Sequence, residues 1–566
     1  MMKKITEWIQ RHCEKAWFCV CANICLLAVL LLLFSPAYET NDDMGLCAIV
    51  NGVKGTYDAH MIYVNYLIGL LLTRLYRVTD AVSWYALLQY AALLCAFSAV
   101  TYVELRRFRK QPSGWIFVAV LLLFAYEGYI RLQYTKTAGI VSAAGMILLL
   151  DAVTGERIRK HSAVCGIVLA GFGAMYRLPQ FFAEAFLMLG IVIYELINLR
   201  QLAPGAAKKR LGRYAGAAAA LLGVVAVLCG ADRLAYRSEE WQRYEEYNAA
   251  RTELFDYGFP DYEKNRETYE ELEIDENAYR LIRGWNHMDT EKFSVEIMEE
   301  LIAKKTPVKL DLRFVKGFIK KVLLKLYTVP GFWCFLLALL VWLLAVRHRR
   351  RDIAAILGEF FAVGLLYCFL YYQGRYLRNR VDVGIWMAAT MTVLWILAPG
   401  GAFPRGKIMR VCVNAVGPAL CILLTLAAHG MWEKRLRINT AEERQKQGVC
   451  REVLEYIASD GEHLYLTKSG AVSLAKSYGV FDSIPAGLME NTLALGGWPA
   501  NTPGYVEKMR EYGITNPFRD MIGNEQIYLV DDDVEETLAY LRTYYDADVQ
   551  AVLEAEPGNA KIYRIG

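Results

Sequence analysis

Apolar residues in this chain gather in long runs, at 17–34, 61–78, 82–104, 113–130, 134–153, 162–178, 179–199, 214–230, 328–346, 352–372, 383–398 and 411–431. A helix of about 20 apolar residues spans the hydrocarbon core of a bilayer, so the pattern predicts an α-helical polytopic membrane protein. The run at 61–78 stands apart. Asn65, Thr73, Arg74 and Arg77 interrupt it, and only a short link separates it from the next run. It reads as an interfacial helix lying flat on the membrane. About eleven transmembrane helices then remain. With that count the basic clusters RRFRK (106–110), ERIRK (156–160), KKRLGR (208–213), RHRRR (347–351) and RGKIMR (405–410) share one side, cytoplasmic by the positive-inside rule. Lys3, Lys4, Arg11 and Lys15 precede the first run, which reads as a retained membrane helix with a cytoplasmic N-terminus.

The same topology places three polar regions outside. Within a membrane module at 1–430 lie a first external loop at 35–80, which carries the interfacial helix, and an insertion at 231–325 with helical spacing in SEEWQRYEEYNAARTELFDY. The third region, 431–566, has a different pattern. HLYLT, QIYLV, VQAVLEAE and KIYRI predict strands, and DDVEETLAYLRTYY predicts an amphipathic helix with acids in its first turn. A small external C-terminal α/β domain follows.

Composition sharpens this picture at a few points. Of 566 residues 55% are hydrophobic, and the mean hydropathy is +0.22, too apolar for an ordinary soluble chain. The net charge of +4 gives no sign of a nucleic-acid partner. The 13 cysteines lie mostly inside apolar runs with no paired spacing, and the seven histidines are scattered, so neither structural disulfides nor a metal set are expected.

Candidate chemistry lies at the external mouths of the spans. Arg131 and Lys136 in YIRLQYTKTAG, Arg177 in MYRLPQ, and Arg375, Arg378 and Arg380 in YYQGRYLRNRVD run against the positive-inside rule. Each alone reads as a snorkelling side chain or a partner for a nearby acid. Together, opposite Glu39, Asp42 and Asp43 in YETNDDMGL, they suggest an anion site, since arginine offers a planar donor fork to phosphate. Glu39 is expected to pair with an arginine. Asn41, Asp42 and Asp43 are equally good helix caps. Trp285 and His287 in RGWNHMDT and Trp498 in LGGWPANTPG offer aromatic and polar contacts to a sugar, with a helix end and a packed loop as the plain alternatives.

A long first external loop with an acidic pair after the first span, an interfacial helix, about eleven spans and an external C-terminal domain together resemble the GT-C class of integral-membrane glycosyltransferases. The stretches NDDMGLCAIVNG, HMIYVNYLIGLLLTRLYRVTDAVSWYALLQY and RLQYTKTAG are similar to a group of poorly characterised bacterial multispan proteins placed in that class. The resemblance implies transfer of a sugar from a polyprenyl-phosphate donor to a glycan or other cell-envelope acceptor on the external face of the cell membrane. It implies Asp42 as the base, with Asp43 as second choice, and the six cations as donor-phosphate contacts. Asp42 and Asp43 also offer carboxylates to a divalent cation, without enough placed acids to complete a set. A sugar-lipid polymerase or ligase would share the outward arginines. A transporter or flippase would instead carry acids in mid-membrane, whereas the charges here read as lying at the mouths of the spans.

Overall fold

The computed structural model describes residues 12, 15–108, 114–343, 350–375, 378–397, 407–436, 441–558 and 560–566. Lys3, Lys4, Arg11, Arg109, Lys110 and the ends of two basic clusters, 347–349 and 405–406, lie outside the described residues. The protein is 68% helical. Among the described residues seven helices are long and apolar enough to cross a membrane: Ala16–Leu33, Trp84–Arg107, Tyr134–Thr154, Leu178–Leu199, Pro204–Ala235, Arg350–Tyr372 and Asn379–Leu397. The other four expected crossings are helical too, but shorter in apolar length. Gly114–Tyr129 has 16 residues, Lys160–Tyr176 has 17 and Pro330–Leu343 has 14, the last meeting Leu312–Leu326 at an 83° bend. The fourth is the apolar stretch Ala419–Glu433 within Lys407–Leu436.

Tyr134–Thr154 is the central helix, buried almost throughout. Its small residues set its packing. Gly145 faces Gly166 of Lys160–Tyr176, where a Cβ on Gly166 would stand 2.7 Å from the Leu149 amide nitrogen, so the two backbones touch. The helix also separates two charged ends. At one, buried Asp151 gathers Arg106 at 2.8 Å, Arg107 at 3.5 Å and Arg159. Arg213 caps the same end by donating to the Gly155 and Glu156 carbonyls. Fifteen residues away, about 22 Å at 1.5 Å per residue, Lys136 marks the other end.

At that second end the chain leaving Ala16–Leu33 forms a two-residue parallel pairing, Ala37–Tyr38 against Arg131–Leu132. This pairing brings the first loop onto the start of Tyr134–Thr154. The short helix Asp42–Val50 follows, and then Tyr66–Val78 with Asn65 as its cap, accepting from the Leu67 amide at 3.0 Å. Tyr66–Val78 covers most of the segment expected to lie in the interface. Its start is tied to Pro204–Ala235, where Asp232 accepts from the Tyr66 amide at 2.7 Å.

Residues 441–566 carry a five-stranded sheet in the order Thr492–Ala494, Leu464–Thr467, Ile527–Val530, Ile562–Ile565, Ala551–Ala555. The first three strands run parallel and the last two pair antiparallel. The four segments read as strands are strands, Val534–Tyr544 is the amphipathic helix, and Thr492–Ala494 is an addition. The insertion does not stand alone: Trp241, Tyr244, Leu254 and Leu281 share one hydrophobic core with Leu466, Leu495, Phe518 and Leu541 of the sheet unit.

Candidate functional site

The two-residue pairing beside Tyr134–Thr154 creates the site, because it sets the acids of the first loop against cations from three other segments. Glu39 reaches Lys136, with Oε2 2.6 Å from Nζ, and lies 3.8 Å from Arg131. Glu127, almost wholly buried, completes a four-membered ion cluster, 2.7 Å from Arg131 and 3.0 Å from Lys136. Lys136 also donates to the Glu127 and Arg131 carbonyls, and the Arg131 guanidinium lies over the Trp432 ring. Burial alone would raise the Glu39 pKa, but Lys136 and Arg131 outweigh it and hold the carboxyl below its ordinary range. Two of the six candidate anion ligands, Arg131 and Lys136, are therefore engaged by internal carboxylates.

Asp42 and Asp43, adjacent in sequence, have opposite environments. Both sit in the first turn of Asp42–Val50, and neither the Asn41 side chain nor another caps that helix. Asp42 is partly exposed, with Oδ2 2.5 Å from Arg380 Nη1 and 3.2 Å from the Thr40 hydroxyl, which donates to it. Asp43 points inward and is fully buried. Its Oδ1 accepts from Tyr85 Oη at 2.8 Å, Gln89 Nε2 at 3.1 Å and the Tyr134 amide at 3.0 Å, while Oδ2 has no hydrogen-bond partner. Burial pushes its pKa up to about 7, against the hydrogen bonds from Tyr85 and Gln89 and with the Asp42 charge adding to the rise. Only Asp42 of the pair meets solvent. Asp43 is a locking residue, joining the first loop to Trp84–Arg107 and Tyr134–Thr154.

The remaining cations divide. Arg177, between Lys160–Tyr176 and Leu178–Leu199, stacks over the Tyr63 ring at 5.0 Å and lies 5.9 Å from the Tyr134 ring, with no carboxylate partner among the described residues. Arg375 pairs instead with Asp256 at 3.6 Å and covers the Tyr257 ring. Arg378 is exposed just before Asn379–Leu397. Asp42, Arg380, Tyr134, Arg177 and Tyr63 thus form one cluster that mixes a carboxylate with two guanidinium groups.

The three proposed sugar contacts also differ among themselves. His287 is buried, accepts from the Gly497 amide on Nε2 at 3.1 Å and therefore donates from Nδ1 to Tyr247 Oη at 2.8 Å. Burial, then the nearby Arg251 charge, pushes its pKa down to about 3, so it serves as a neutral strut. Trp498 packs against Gly45, where a Cβ would stand 2.7 Å from the indole, and against Tyr63 at 5.3 Å, while its carbonyl accepts from Tyr244. This docks the sheet unit directly on the helix bearing Asp42. Trp285 lines a cavity of about 350 Å³ in the insertion.

Two buried acids were not anticipated. Glu184 and Glu359 lie within Leu178–Leu199 and Arg350–Tyr372, inside the spans rather than at their mouths. Both are almost wholly buried, and Glu184 Oε2 and both Glu359 oxygens have no hydrogen-bond partner. Gly190 leaves the space that the Glu359 carboxyl occupies. Among the described residues no group of three or more His, Cys, Asp or Glu side chains is placed to hold a metal ion. No family model matches the chain, and no curated protein or solved structure matches it.

Proposed function

We propose that this chain is a GT-C-like membrane glycosyltransferase that moves a sugar from a polyprenyl-phosphate donor to a cell-envelope glycan or related acceptor. The four shorter helices count as crossings alongside the seven long ones, giving eleven. The end that bears Asp151 and its arginines faces the cytoplasm by the positive-inside rule, and the end that bears Asp42 faces outside. The carrying observation is the partly exposed Asp42 carboxylate held 2.5 Å from Arg380, in the same cluster as Arg177.

In the reaction the acceptor hydroxyl oxygen attacks the anomeric carbon, the bond from that carbon to the phosphate oxygen breaks, and its electron pair leaves with the phosphate. Asp42 takes the hydroxyl proton, with Arg380 and Thr40 fixing its direction. Arg177 and Arg378 meet the developing phosphate charge, while Arg380 stays on Asp42. Asp43 stays inside and holds the loop. The cluster of Arg131, Lys136, Glu127 and Glu39 supplies a rigid floor.

The test is donor binding by the full chain in nanodiscs. Arg177→Ala should weaken binding of a polyprenyl-phosphate sugar by about 1.5–3 kcal/mol, the loss of one charge-assisted contact. Unchanged donor affinity in a folded variant would remove the anion site. A second function, transport of envelope precursors, is favoured by one observation, the buried carboxyls of Glu184 and Glu359 inside the spans, which lack a cationic partner among the described residues, Glu184 meeting only Gln180 through Oε1, because ionisable groups within spans line substrate or proton routes. It requires that Glu359→Gln abolish movement of a lipid-linked sugar across proteoliposomes while leaving sugar transfer intact.

A further inference from the structure

The cavity in the insertion has walls that suit a particular ligand. Its volume of about 350 Å³ lies at the small end of ligand pockets, roughly 300–1,000 Å³. Phe255, Phe259, Tyr279 and Trp285 supply aromatic surface, with Phe255 4.9 Å from Phe259 and 4.8 Å from Trp285, and Phe259 6.1 Å from Tyr279, centroid to centroid. Arg283 and Asp261 stand exposed at the rim. A flat aromatic wall beside a polar rim matches a pyranose ring, which presents an apolar C–H face and an edge of hydroxyl groups. A polyprenyl chain would need a longer, wholly apolar groove.

The backbone is bent to present Trp285. Its φ of +69° lies in the left-handed region, which an aromatic residue adopts only when its surroundings enforce it. Here they do. The Trp285 carbonyl is pressed against Gly496 of the sheet unit, where any side chain would collide, and the Arg251 guanidinium lies 5.6 Å from the indole ring. Arg251 also donates to Tyr63 Oη at 3.1 Å, and Tyr63 underlies Arg177. A row of side chains, Trp285, Arg251, Tyr63, Arg177 and Tyr134, runs from the cavity wall to the cluster at Asp42; Arg251 and Tyr134 are buried in it, while Trp285, Tyr63 and Arg177 are partly exposed. That row is longer than one sugar ring.

We propose that the cavity is a remote subsite for the acceptor, which is an oligosaccharide: one pyranose docks against Trp285 and Tyr279 while a ring further along the glycan presents its hydroxyl at Asp42. The proposal rests on the glycosyltransferase function and adds the acceptor class. It predicts that acceptors improve with length.

The test uses the full chain in nanodiscs without donor. Saturation-transfer NMR follows binding of tetrasaccharides of glucose, galactose, mannose and N-acetylglucosamine, each beside its monosaccharide. At least one tetrasaccharide should bind at least tenfold more tightly than its monosaccharide. Tyr279→Ala, and separately Arg283→Ala at the exposed rim, should weaken that binding at least tenfold, while binding of a polyprenyl-phosphate sugar, measured in a separate titration, is unchanged. Absence of binding by every saccharide, or binding indifferent to both substitutions, would overturn the subsite. Sugar transfer whose acceptor KM ignores Tyr279→Ala would overturn the subsite alone. Cavity-dependent saccharide binding by a protein that transfers no sugar would overturn the glycosyltransferase function alone.

Discussion

Substituting Asp43 by asparagine should change how stability depends on pH. In the native protein burial moves this carboxyl from its ordinary 3.8 to about 7, and at about 1.4 kcal/mol per pH unit the difference amounts to about 4 kcal/mol. The unfolded chain loses the proton near 3.8, while the native chain keeps it to about 7. Between those values the native state binds more protons, so this group's contribution is present at low pH and is lost as pH rises toward 7, after which it is level. The substituted side chain would still accept from Tyr85, Gln89 and the Tyr134 amide through its amide oxygen and would not titrate. From pH 5 to pH 8 the parent should therefore lose about 2.5 kcal/mol more stability than Asp43→Asn. Reversible unfolding in mixed micelles at the two pH values measures this, and other titrating groups cancel in the comparison. Parallel pH dependence in the two proteins would refute the account of Asp43 as a buried, pH-sensitive lock.

Glu127→Ala should destabilise the protein by about 3–5 kcal/mol, because it strips the buried cations Arg131 and Lys136 of a shared partner; a loss under about 1 kcal/mol in chemical unfolding would show that Glu39 suffices. Single cysteines at Asp58 and at Arg157 should label from opposite faces of sealed spheroplasts, Asp58→Cys from outside and Arg157→Cys only after permeabilisation. Labelling of Arg157→Cys from outside would invert the topology and detach the site from the external face. His287→Gln should leave the pH profile above pH 5 unchanged, since the buried imidazole titrates near 3; a lost limb near neutrality would make His287 an acid or base.

Much of this architecture was legible from hydrophobic runs, since every apolar stretch read as a crossing is helical over most of its described residues. Length was less legible. The 83° bend after Leu312–Leu326 and the short Gly114–Tyr129 depend on packing that no single run reveals. In the sheet unit, alternation and β-branched content exposed four strands, whereas Thr492–Ala494 spans three residues between a turn and a glycine pair and carries almost no period. The acidic pair was visible, but the difference between its members was not. Asp43 is buried only because Tyr85, Gln89 and Tyr134, 42 to 91 positions away, close over it. The cations differ: Glu127 lies four residues before Arg131 and nine before Lys136, a local spacing, whereas Glu39 reaches both only through the two-residue pairing at Ala37–Tyr38, too short to leave a pattern, and Arg177 meets the rings of Tyr63 and Tyr134, 114 and 43 positions away. Glu184 and Glu359 escaped notice because a single acid scarcely lowers the hydropathy of a long apolar run.

The central claim is that Asp42 takes the acceptor proton, and Asp42→Asn tests it most directly. Asparagine keeps the size and an oxygen facing Thr40 and Arg380 but accepts no proton. With purified protein in nanodiscs, a polyprenyl-phosphate sugar and an oligosaccharide acceptor, kcat should fall on the order of a hundredfold or more while donor Kd stays within about twofold. An Asp42→Asn protein that transfers sugar at the parent rate would contradict the account.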